Sequence, residues 1–449
     1  MMDKNIDLVS NPKKSFYNLS IPLVAFALFN TLYSVIDTMW ISTFSDDAII
    51  ALSVCIPVFA LYTYVGDSFG QGTNSIMSRY LGSGNYKNAC SSFLTGMLIV
   101  SAVYIAILLI STQYAFIFGI WEAEYLDSIL SYIMPMSIFS FVFLYSNFFS
   151  ETMHAEGNSR FPTMLLITTN ILNLIIDPVF IYYFNLGVRG AAYASILSAS
   201  ICFIILLLRY VFGKNKIEFS LKYLKIRLYV IWEIIKVALP NCFEDGASTF
   251  SILFIYSILL STVGFMGISL YLVCDSLKKL FLSPVKGFGR GLLSVSGHLF
   301  GAKKFDDIKK LYLHALKISV LVSFIISICV FIFFKDIMAM FDMIDNDFNL
   351  FLIAVSAVFI LSFSPVALIS GKILDGFGKS YYALFFKILK KVFEILVIIF
   401  LVDSFKGSSI LIAFITGELI FAFVYYLFVD ASIKKVKRAY RDAEVVKSF

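Results

Sequence analysis

The chain has 449 residues, of which 59% are hydrophobic and 15% are charged, and its formal net charge is +6. Soluble domains are about half apolar, with about a quarter of their residues charged, so this composition excludes an ordinary soluble domain. The long uninterrupted apolar runs also exclude a transmembrane β-barrel, whose strands are about ten residues long and alternate in polarity. We therefore predict an all-α polytopic membrane protein.

Twelve apolar runs are long enough to cross about 30 Å of hydrocarbon as α-helices. The segment before the first run, "MMDKNIDLVSNPKKSF", is polar, and no small-residue cleavage site follows it. We therefore expect no cleavable signal peptide. The predicted spans are residues 16–43, 48–73, 89–113, 128–152, 161–184, 190–212, 230–261, 267–293, 308–334, 348–371, 381–402 and 409–429.

The Lys and Arg residues between the spans predict the orientation. Most of the 36 basic residues lie in the N-terminal segment, the even-numbered connections and the C-terminal tail. The odd-numbered connections contain only Arg189, Lys335 and Lys406, and they are otherwise acidic. Since cytoplasmic loops are enriched in Lys and Arg, both termini are expected in the cytoplasm of a cell with the protein in its inner membrane.

Cysteine and histidine provide no sign of a resident metal or cofactor. The six cysteines lie in or beside predicted spans without CxxC spacing, and the three histidines do not cluster in the sequence. We expect the cysteines to act as small packing residues, and we predict no disulfide framework and no cofactor.

An internal repeat divides the chain in two. "FGQGTNSIMSRYLG" (69–82) aligns without gaps with "FGRGLLSVSGHLFG" (288–301), and "HAEGNSRFP" (154–162) aligns with "DGFGKSYYA" (375–383). The first span of each half also carries a proline, Pro22 and Pro240. Because each half has an even number of spans, the two halves have the same orientation, which is a parallel repeat typical of transporters.

The repeat predicts four segments. Residues 1–213 form an N-lobe with spans 1–6, 214–229 a cytoplasmic linker, 230–430 a C-lobe with spans 7–12, and 431–449 a basic cytoplasmic tail. The tail is interpreted as a membrane-flanking anchor, and no nucleic-acid partner is predicted. The alternative for the repeat as a whole is duplication without transport, as in a channel or a scaffold.

The N-lobe spans contain acids without bases in their interiors. Asp37, Asp67 and Asp177 lie in three different spans. Since an ionisable group at the bilayer centre costs about 2.5–3.5 kcal/mol, each acid needs a partner. A proton or a metal cation from solution is the natural one.

Helical spacing groups some of these residues. Asn30, Tyr33 and Asp37 lie on one face of the first span, and Asn173 and Asp177 lie four residues apart in the fifth. Carboxylate, amide and phenol oxygens suit Na⁺, while a desolvated carboxylate alone can carry a proton. A Na⁺ site at Asp37, Asn173 and Asp177 is therefore possible on these grounds, as is a proton site.

Pro178 follows Asp177 directly. Proline has no N–H, so the carbonyl of Leu174, one turn earlier, loses its usual hydrogen-bond donor and can turn toward a ligand. The alternative is that Asp177 is hydrogen-bonded within the helix packing and that Pro178 only bends the helix.

The C-lobe spans mix acids and bases. We interpret six residues from both lobes as candidates for the wall of a substrate cavity: Asp67, Glu244, Asp245, Asp275, Lys278 and Lys390. Structural ion pairing is the alternative, because Asp275 can pair with Lys278 and because Lys390 and Lys391 flank Glu394 at helical spacing.

Three segments carry a resemblance to a known family. They are "IPLVAFALFNTLYSVIDTMWIS" in span 1, "GQGTNSIMSRYLGSGNYKNA" after span 2 and "NILNLIIDPVFIYYFNLGVRGAAYAS" across spans 5 and 6. On these segments the chain resembles the multidrug and toxic compound extrusion (MATE) family, and within it the DinF-like branch. The resemblance implies twelve helices in two lobes and efflux driven by Na⁺ or H⁺.

The resemblance also implies roles for individual residues. It implies that Pro22 bends the first helix, and that a Ser on the sixth helix replaces a Thr of the family while keeping the hydroxyl. The basic C-lobe residues depart from a simple receptor for organic cations. The positions implied for the cation site are Tyr33, Asp37, Asn147, Asn173, Asp177 and Ser195.

The predicted function is therefore a cation-coupled (H⁺ or Na⁺) antiporter that exports small amphipathic or cationic organic compounds by alternating access, and that acts as a monomer. The alternatives are a flippase for lipid-linked or glycan substrates in the same superfamily and, less favoured, a channel. No clustered nucleophile or phosphate-binding loop with a Walker lysine occurs, so an enzyme is not predicted.

Overall fold

The structure is a computed structural model. It describes residues 8–42, 46–121, 126–213, 215–262, 265–333, 350–405 and 408–447. Throughout these ranges the regular structure is helical, because a segment in hydrocarbon must satisfy its backbone polar groups internally. The predicted all-α polytopic fold is confirmed.

Helices of the first half follow the predicted spans, with an extra short helix, α4, between spans 3 and 4. Helix α7 is followed directly by a π-helical segment, Val179–Tyr183. The helices are α1 (Pro12–Ser42), α2 (Asp46–Gly82), α3 (Tyr86–Ser111), α4 (Tyr114–Trp121), α5 (Leu126–Ile138), α6 (Ser140–Ala155), α7 (Arg160–Pro178) and α8 (Gly187–Phe212).

Helices of the second half correspond one to one with predicted spans 7–12. A 3₁₀ turn, Leu221–Tyr223, lies in the linker before them. The last helix continues through most of the predicted basic tail. The helices are α9 (Leu228–Thr262), α10 (Phe265–Gly301), α11 (Phe305–Ile332), α12 (Leu350–Gly376), α13 (Ser380–Phe405) and α14 (Ser408–Lys447).

Length and composition mark the membrane-spanning helices most clearly where they are uninterrupted. Within the described ranges, five helices are long and apolar enough to cross a bilayer, and a sixth span results if α5 and α6 are taken together. Those two helices meet at an angle of 48°. Pro135 lies one turn before the break and cannot donate a backbone hydrogen bond, which accounts for a bend there.

Two compact units are present. The first unit contains Ala25–Cys242, and the second contains Asp7–Val24 together with Phe243–Phe449. The divisions thus fall inside α1 and α9, so the start of α1 packs with the second half of the chain and the start of α9 with the first. The lobe limits drawn from the sequence describe the order of the spans and remain predictions.

Two repeat-related glycines make this exchange of helix segments possible. In the first unit, a Cβ on Gly72 would lie 2.6 Å from the Ile234 carbonyl oxygen in α9. In the second unit, a Cβ on Gly291 would lie 2.1 Å from the Ser20 hydroxyl in α1. A side chain at either position would clash with the neighbouring helix, and both glycines belong to the repeated segment.

Candidate functional site

The predicted polar residues of the fifth span meet a tyrosine of the first span in the first unit. Asn173 and Asp177 lie on the buried face of α7 and are 2% and 1% exposed. The Asn173 amide donates to Asp177 Oδ1 at 2.9 Å. The Tyr33 hydroxyl donates to Asn173 Oδ1. We call Tyr33, Asn173 and Asp177 the polar triad.

Local helical geometry explains the α7 half of the triad. Residues four apart on an α-helix lie one above the other, so the Asn173 amide reaches Asp177 without crossing to another helix. The Asn173 side chain then uses its N–H₂ on the carboxylate and its oxygen on the phenol. One amide therefore links a phenol to a buried carboxylate.

The backbone after Asp177 departs from the α-helix. Helix α7 ends at Pro178, and Val179–Tyr183 adopts a π-helical turn, closed by the Phe184 N–H on the Val179 carbonyl at 2.9 Å. Single π-helical turns within α-helices occur frequently at functional sites. The helix type therefore changes directly after Pro178, while the freed Leu174 carbonyl and the bend at Pro178 remain predictions.

A second pair of amides lies on the same two helices. The Asn170 amide, one turn before Asn173, donates to Asn30 Oδ1 at 3.4 Å. Asn30 is one turn before Tyr33 on α1. The aligned polar faces expected from the spacing are therefore in contact at two successive turns.

Other predicted cation-site residues make local contacts. Asn147 on α6 donates to the Phe143 carbonyl of its own helix at 3.1 Å. Ser195 is half-buried on α8, and its hydroxyl has no hydrogen bond to the triad within the described part of the chain. Helix α1 is continuous through Pro22. The roles of these residues remain predictions.

Asp67 lies in a separate polar chain of the first unit. The Gln71 amide donates to Asp67 Oδ2 at 2.8 Å, and the Asn241 amide of α9 approaches Gln71 Oε1 at 3.5 Å. Four of the predicted side chains lie outside the described residues: Asp37, Asp245, Asp275 and Lys278.

The described lysines of α13 in the second unit are paired with acids. Lys390, 8% exposed, is 2.5 Å from Glu418, which is 2% exposed. Lys391 is 2.9 Å from the fully buried Glu394. Lys387 pairs with Glu244. Lys390 therefore contacts an acid, and Glu418 and Glu394, which the sequence does not single out as site residues, neutralise two of these bases.

The repeat carries a further acid–base pair, with the order of the acidic and the basic residue exchanged between the halves. In the first half, Glu151 lies 3.5 Å from His154, and its other oxygen accepts from the Asn74 amide at 3.3 Å. In the second half, at the aligned positions, Lys372 lies 2.8 Å from Asp375. Alignment of the repeat, followed by a search for acidic and basic residues three apart, would have found both pairs.

Metal binding by a clustered set of protein ligands finds no support in these contacts. Across the described ranges, no three His, Cys, Asp or Glu side chains lie close enough together to hold a metal ion. A site built on the triad would therefore combine one carboxylate with neutral oxygens, which suits a monovalent cation or a proton.

Comparison with known proteins gives a family and a fold. The family model described as MatE matches residues 22–179 and 242–400. The multidrug export protein MepA of Staphylococcus saprophyticus is 30% identical over 237 residues, which are 51% of this chain and 51% of that protein. MepA of Staphylococcus aureus is 24% identical over 299 residues, 65% of each chain.

The chain thus matches about half to two thirds of the length of these relatives. A solved structure described as MATE in the straight conformation has a TM-score of 0.91 at 21% identity, covering 98% of this chain and 100% of the other. The similarity of fold extends over nearly the whole chain, and both repeats fall within the family match.

Proposed function

Because this chain belongs to the MatE family, we propose that it is a cation-coupled antiporter that exports small amphipathic or cationic organic compounds. The coupling ion is H⁺ or Na⁺, and transport proceeds by alternating access. The export proteins named above support the substrate class, and the parallel repeat supports the transport mode.

The observation that carries the proposal is the buried polar triad. Asp177 is 1% exposed in a helix of a chain that spans a membrane, and its Oδ1 accepts a hydrogen bond from a neutral amide. An ionised carboxylate in such a place is stabilised by a cation and is otherwise costly. Binding and release of a proton or Na⁺ at Asp177 therefore changes the local charge by one unit.

The triad links this charge change to a second helix. When a proton or Na⁺ neutralises the charge of Asp177, the Asn173 amide donates to a less negative oxygen, and the hydrogen bond from the Tyr33 phenol weakens with it. Helices α1 and α7 are thereby connected through side chains whose hydrogen bonds depend on occupancy. Such a dependence is what coupling between ion binding and helix arrangement requires.

Charge pairing in the second unit favours a cationic or neutral substrate over a phosphate-bearing one. Lys387, Lys390 and Lys391 are each close to a glutamate, so these ammonium groups are already neutralised. A flippase for lipid-linked or glycan substrates would use basic groups available to phosphate. A flippase remains the alternative function, and a channel is the less favoured alternative.

Transport by reconstituted protein tests the proposal. Proteoliposomes are loaded with a cationic or an anionic dye, and Na⁺ and pH gradients are imposed separately. The wild type is expected to move the cationic dye against its gradient under one of the two ion gradients. Asp177→Asn, which keeps the shape and removes the charge, is expected to abolish that coupling.

Asp127→Asn is the matched control, since Asp127 lies exposed in the first turn of α5 in the same unit. It should transport like the wild type. Gradient-driven export that survives in Asp177→Asn contradicts the coupling role of the triad. Movement of neither dye under either gradient, with lipid translocation instead, favours the flippase.

The termini are proposed to be cytoplasmic and the protein monomeric, with the distribution of Lys and Arg supporting the first point. Accessibility of a cysteine added at either terminus to a membrane-impermeant reagent tests the orientation, since labelling in intact cells would contradict it.

A further inference from the structure

An apolar groove opens between three helices of the second unit. It has a volume of about 710 Å³ and lies between α11, α12 and α14. Its lining includes Lys317 and Phe324 from α11, Phe363 from α12, and Leu419, Ala422 and Tyr426 from α14. Apart from a lysine and a tyrosine, these side chains are hydrocarbon.

Lys317 is the one charged residue of this lining. Its neighbours on α11 have acidic partners: Lys309 is 2.7 Å from Asp430, and Lys310 is 3.8 Å from Asp307. No carboxylate within the described ranges forms an ion pair with Lys317, which is exposed. The groove therefore has a positive charge at its edge that the second unit's described side chains leave unneutralised.

Further basic groups surround Lys317. His314, one turn earlier on α11, is hydrogen-bonded through Nε2 to the Tyr17 hydroxyl of α1 at 2.9 Å. Lys13 lies one turn before Tyr17 and is exposed. The Tyr17–His314 hydrogen bond thus brings the first turns of α1, which carry Lys13, beside the turn of α11 that precedes Lys317.

The Tyr17–His314 hydrogen bond places these groups beside the first turns of α1, where the first predicted span begins at residue 16. Lys317 itself lies inside the predicted span 308–334, so its ammonium group extends along the helix to reach the headgroups. Helical side chains lean toward the N-terminus, so a long lysine extends its ammonium group toward the basic end of the helix. Below Lys317 the groove continues between apolar side chains, at the depth of acyl chains.

From this arrangement we propose that the groove is a binding site for an anionic phospholipid. The headgroup phosphate contacts Lys317 and Lys13, and an acyl chain lies between α11, α12 and α14. Positive charge at the edge and hydrocarbon below match an anionic lipid, and basic pockets between helices bind such lipids in membrane proteins. The site does not depend on the proposed transport function.

Native mass spectrometry of the purified protein tests the site. The protein in detergent is titrated with phosphatidylglycerol or phosphatidylcholine, and the fraction with one bound lipid is measured. The wild type is expected to prefer phosphatidylglycerol. Since one basic group near a headgroup contributes roughly fivefold in affinity, Lys317→Gln should reduce phosphatidylglycerol binding by about that factor.

Two further variants separate the headgroup from the chain. Lys87→Gln, an exposed lysine in the first turn of α3, is the matched charge control and should bind like the wild type. Ala422→Phe adds a ring inside the groove and should weaken both lipids. Soluble glycerol phosphate, which lacks acyl chains, should not displace the bound lipid.

Several results would overturn the assignment. These are equal binding of both lipids by the wild type, equal losses in Lys317→Gln and Lys87→Gln, and undiminished binding by a folded Ala422→Phe. Displacement by glycerol phosphate at the lipid's own concentration would indicate a phosphate site that does not use the groove.

Discussion

Glu156 is a buried carboxyl outside the predicted spans, and replacing it with glutamine should change how stability depends on pH. It follows the last residue of α6 and is 7% exposed. Its Oε2 accepts the backbone N–H of Lys216, in the linker after α8, at 2.8 Å. Glu156→Gln keeps an oxygen for that bond and removes the charge.

The size and sign of the effect follow from the pKa. Burial raises the pKa of Glu156 to about 7 from 4.5, although hydrogen bonds from Lys216 and Ile217 oppose the rise. Because the pKa of this carboxyl is higher in the folded state than in the unfolded state, its contribution to stability is fully present below the unfolded-state pKa. That contribution is lost as the pH rises through the folded-state pKa. The loss between these pH values amounts to about 3 kcal/mol.

Thermal unfolding in detergent, followed by tryptophan fluorescence between pH 4.5 and 8.5, measures this effect. The wild type should lose melting temperature as pH rises through this window, and Glu156→Gln should lose less, so that the variant is the more stable of the two at pH 8.5. Glu218→Gln is the control, because exposed Glu218 in the same linker has its pKa lowered by Lys222. A difference between wild type and Glu156→Gln that is the same at both ends of the pH range would refute the reasoning.

Three other substitutions test packing, ion pairing and the triad. Gly66→Ala would put a Cβ 2.7 Å from a backbone oxygen of α6, whereas the Cβ of Gly371→Ala would lie 3.7 Å from the nearest described atom outside its own helix backbone. Thermal unfolding should show a loss of about 1–3 kcal/mol in stability for Gly66→Ala and little loss for Gly371→Ala. Equal stability of the two variants would contradict this prediction. Glu418→Gln removes the nearer acid partner of Lys390 and leaves Glu394 at 3.8 Å, so it should cost less than the roughly 3–5 kcal/mol of a wholly unpaired buried charge. The double variant Lys390→Met, Glu418→Leu should recover this loss, and a double variant no more stable than Glu418→Gln would show that the pair is not the cause. Tyr33→Phe removes the hydroxyl that donates to Asn173 and should raise the half-saturating concentration of the coupling ion by up to about tenfold in the dye assay. An unchanged concentration would show that Tyr33 does not contribute to the ion site.

The residue pattern within each segment was sufficient to predict the helices and the Asn173–Asp177 contact of the polar triad. Each span is long and apolar, and its backbone hydrogen bonds close within the span, so its helical state depends on its own residues. The Asn173–Asp177 contact follows from the same periodicity, because both residues lie on one helix. The pattern did not predict the π-helical turn that directly follows Pro178.

The residue pattern within one segment could not predict the contacts between helices. Tyr33 is 140 residues from Asn173, and their hydrogen bond depends on how α1 and α7 are rotated against each other. Likewise, spacing offered Lys390 a partner on its own helix, Glu394, at 3.8 Å, whereas the closer acid is Glu418 from α14. Helix rotation is set by side-chain packing along the whole interface, which spacing within one segment does not encode.

The sequence by itself determined that this protein is a helical membrane protein, that it is built as a parallel repeat, and that acids lie in its first half without basic residues in the span interiors. Each of these properties follows from the composition and the periodicity of individual segments of the chain. Only the tertiary structure decided that the starts of α1 and α9 pack with the opposite halves, that the described lysines of α13 are neutralised, and that an apolar groove lies beside Lys317. Each of these depends on which distant side chains fill the same space, because close packing selects partners by shape and charge across helices.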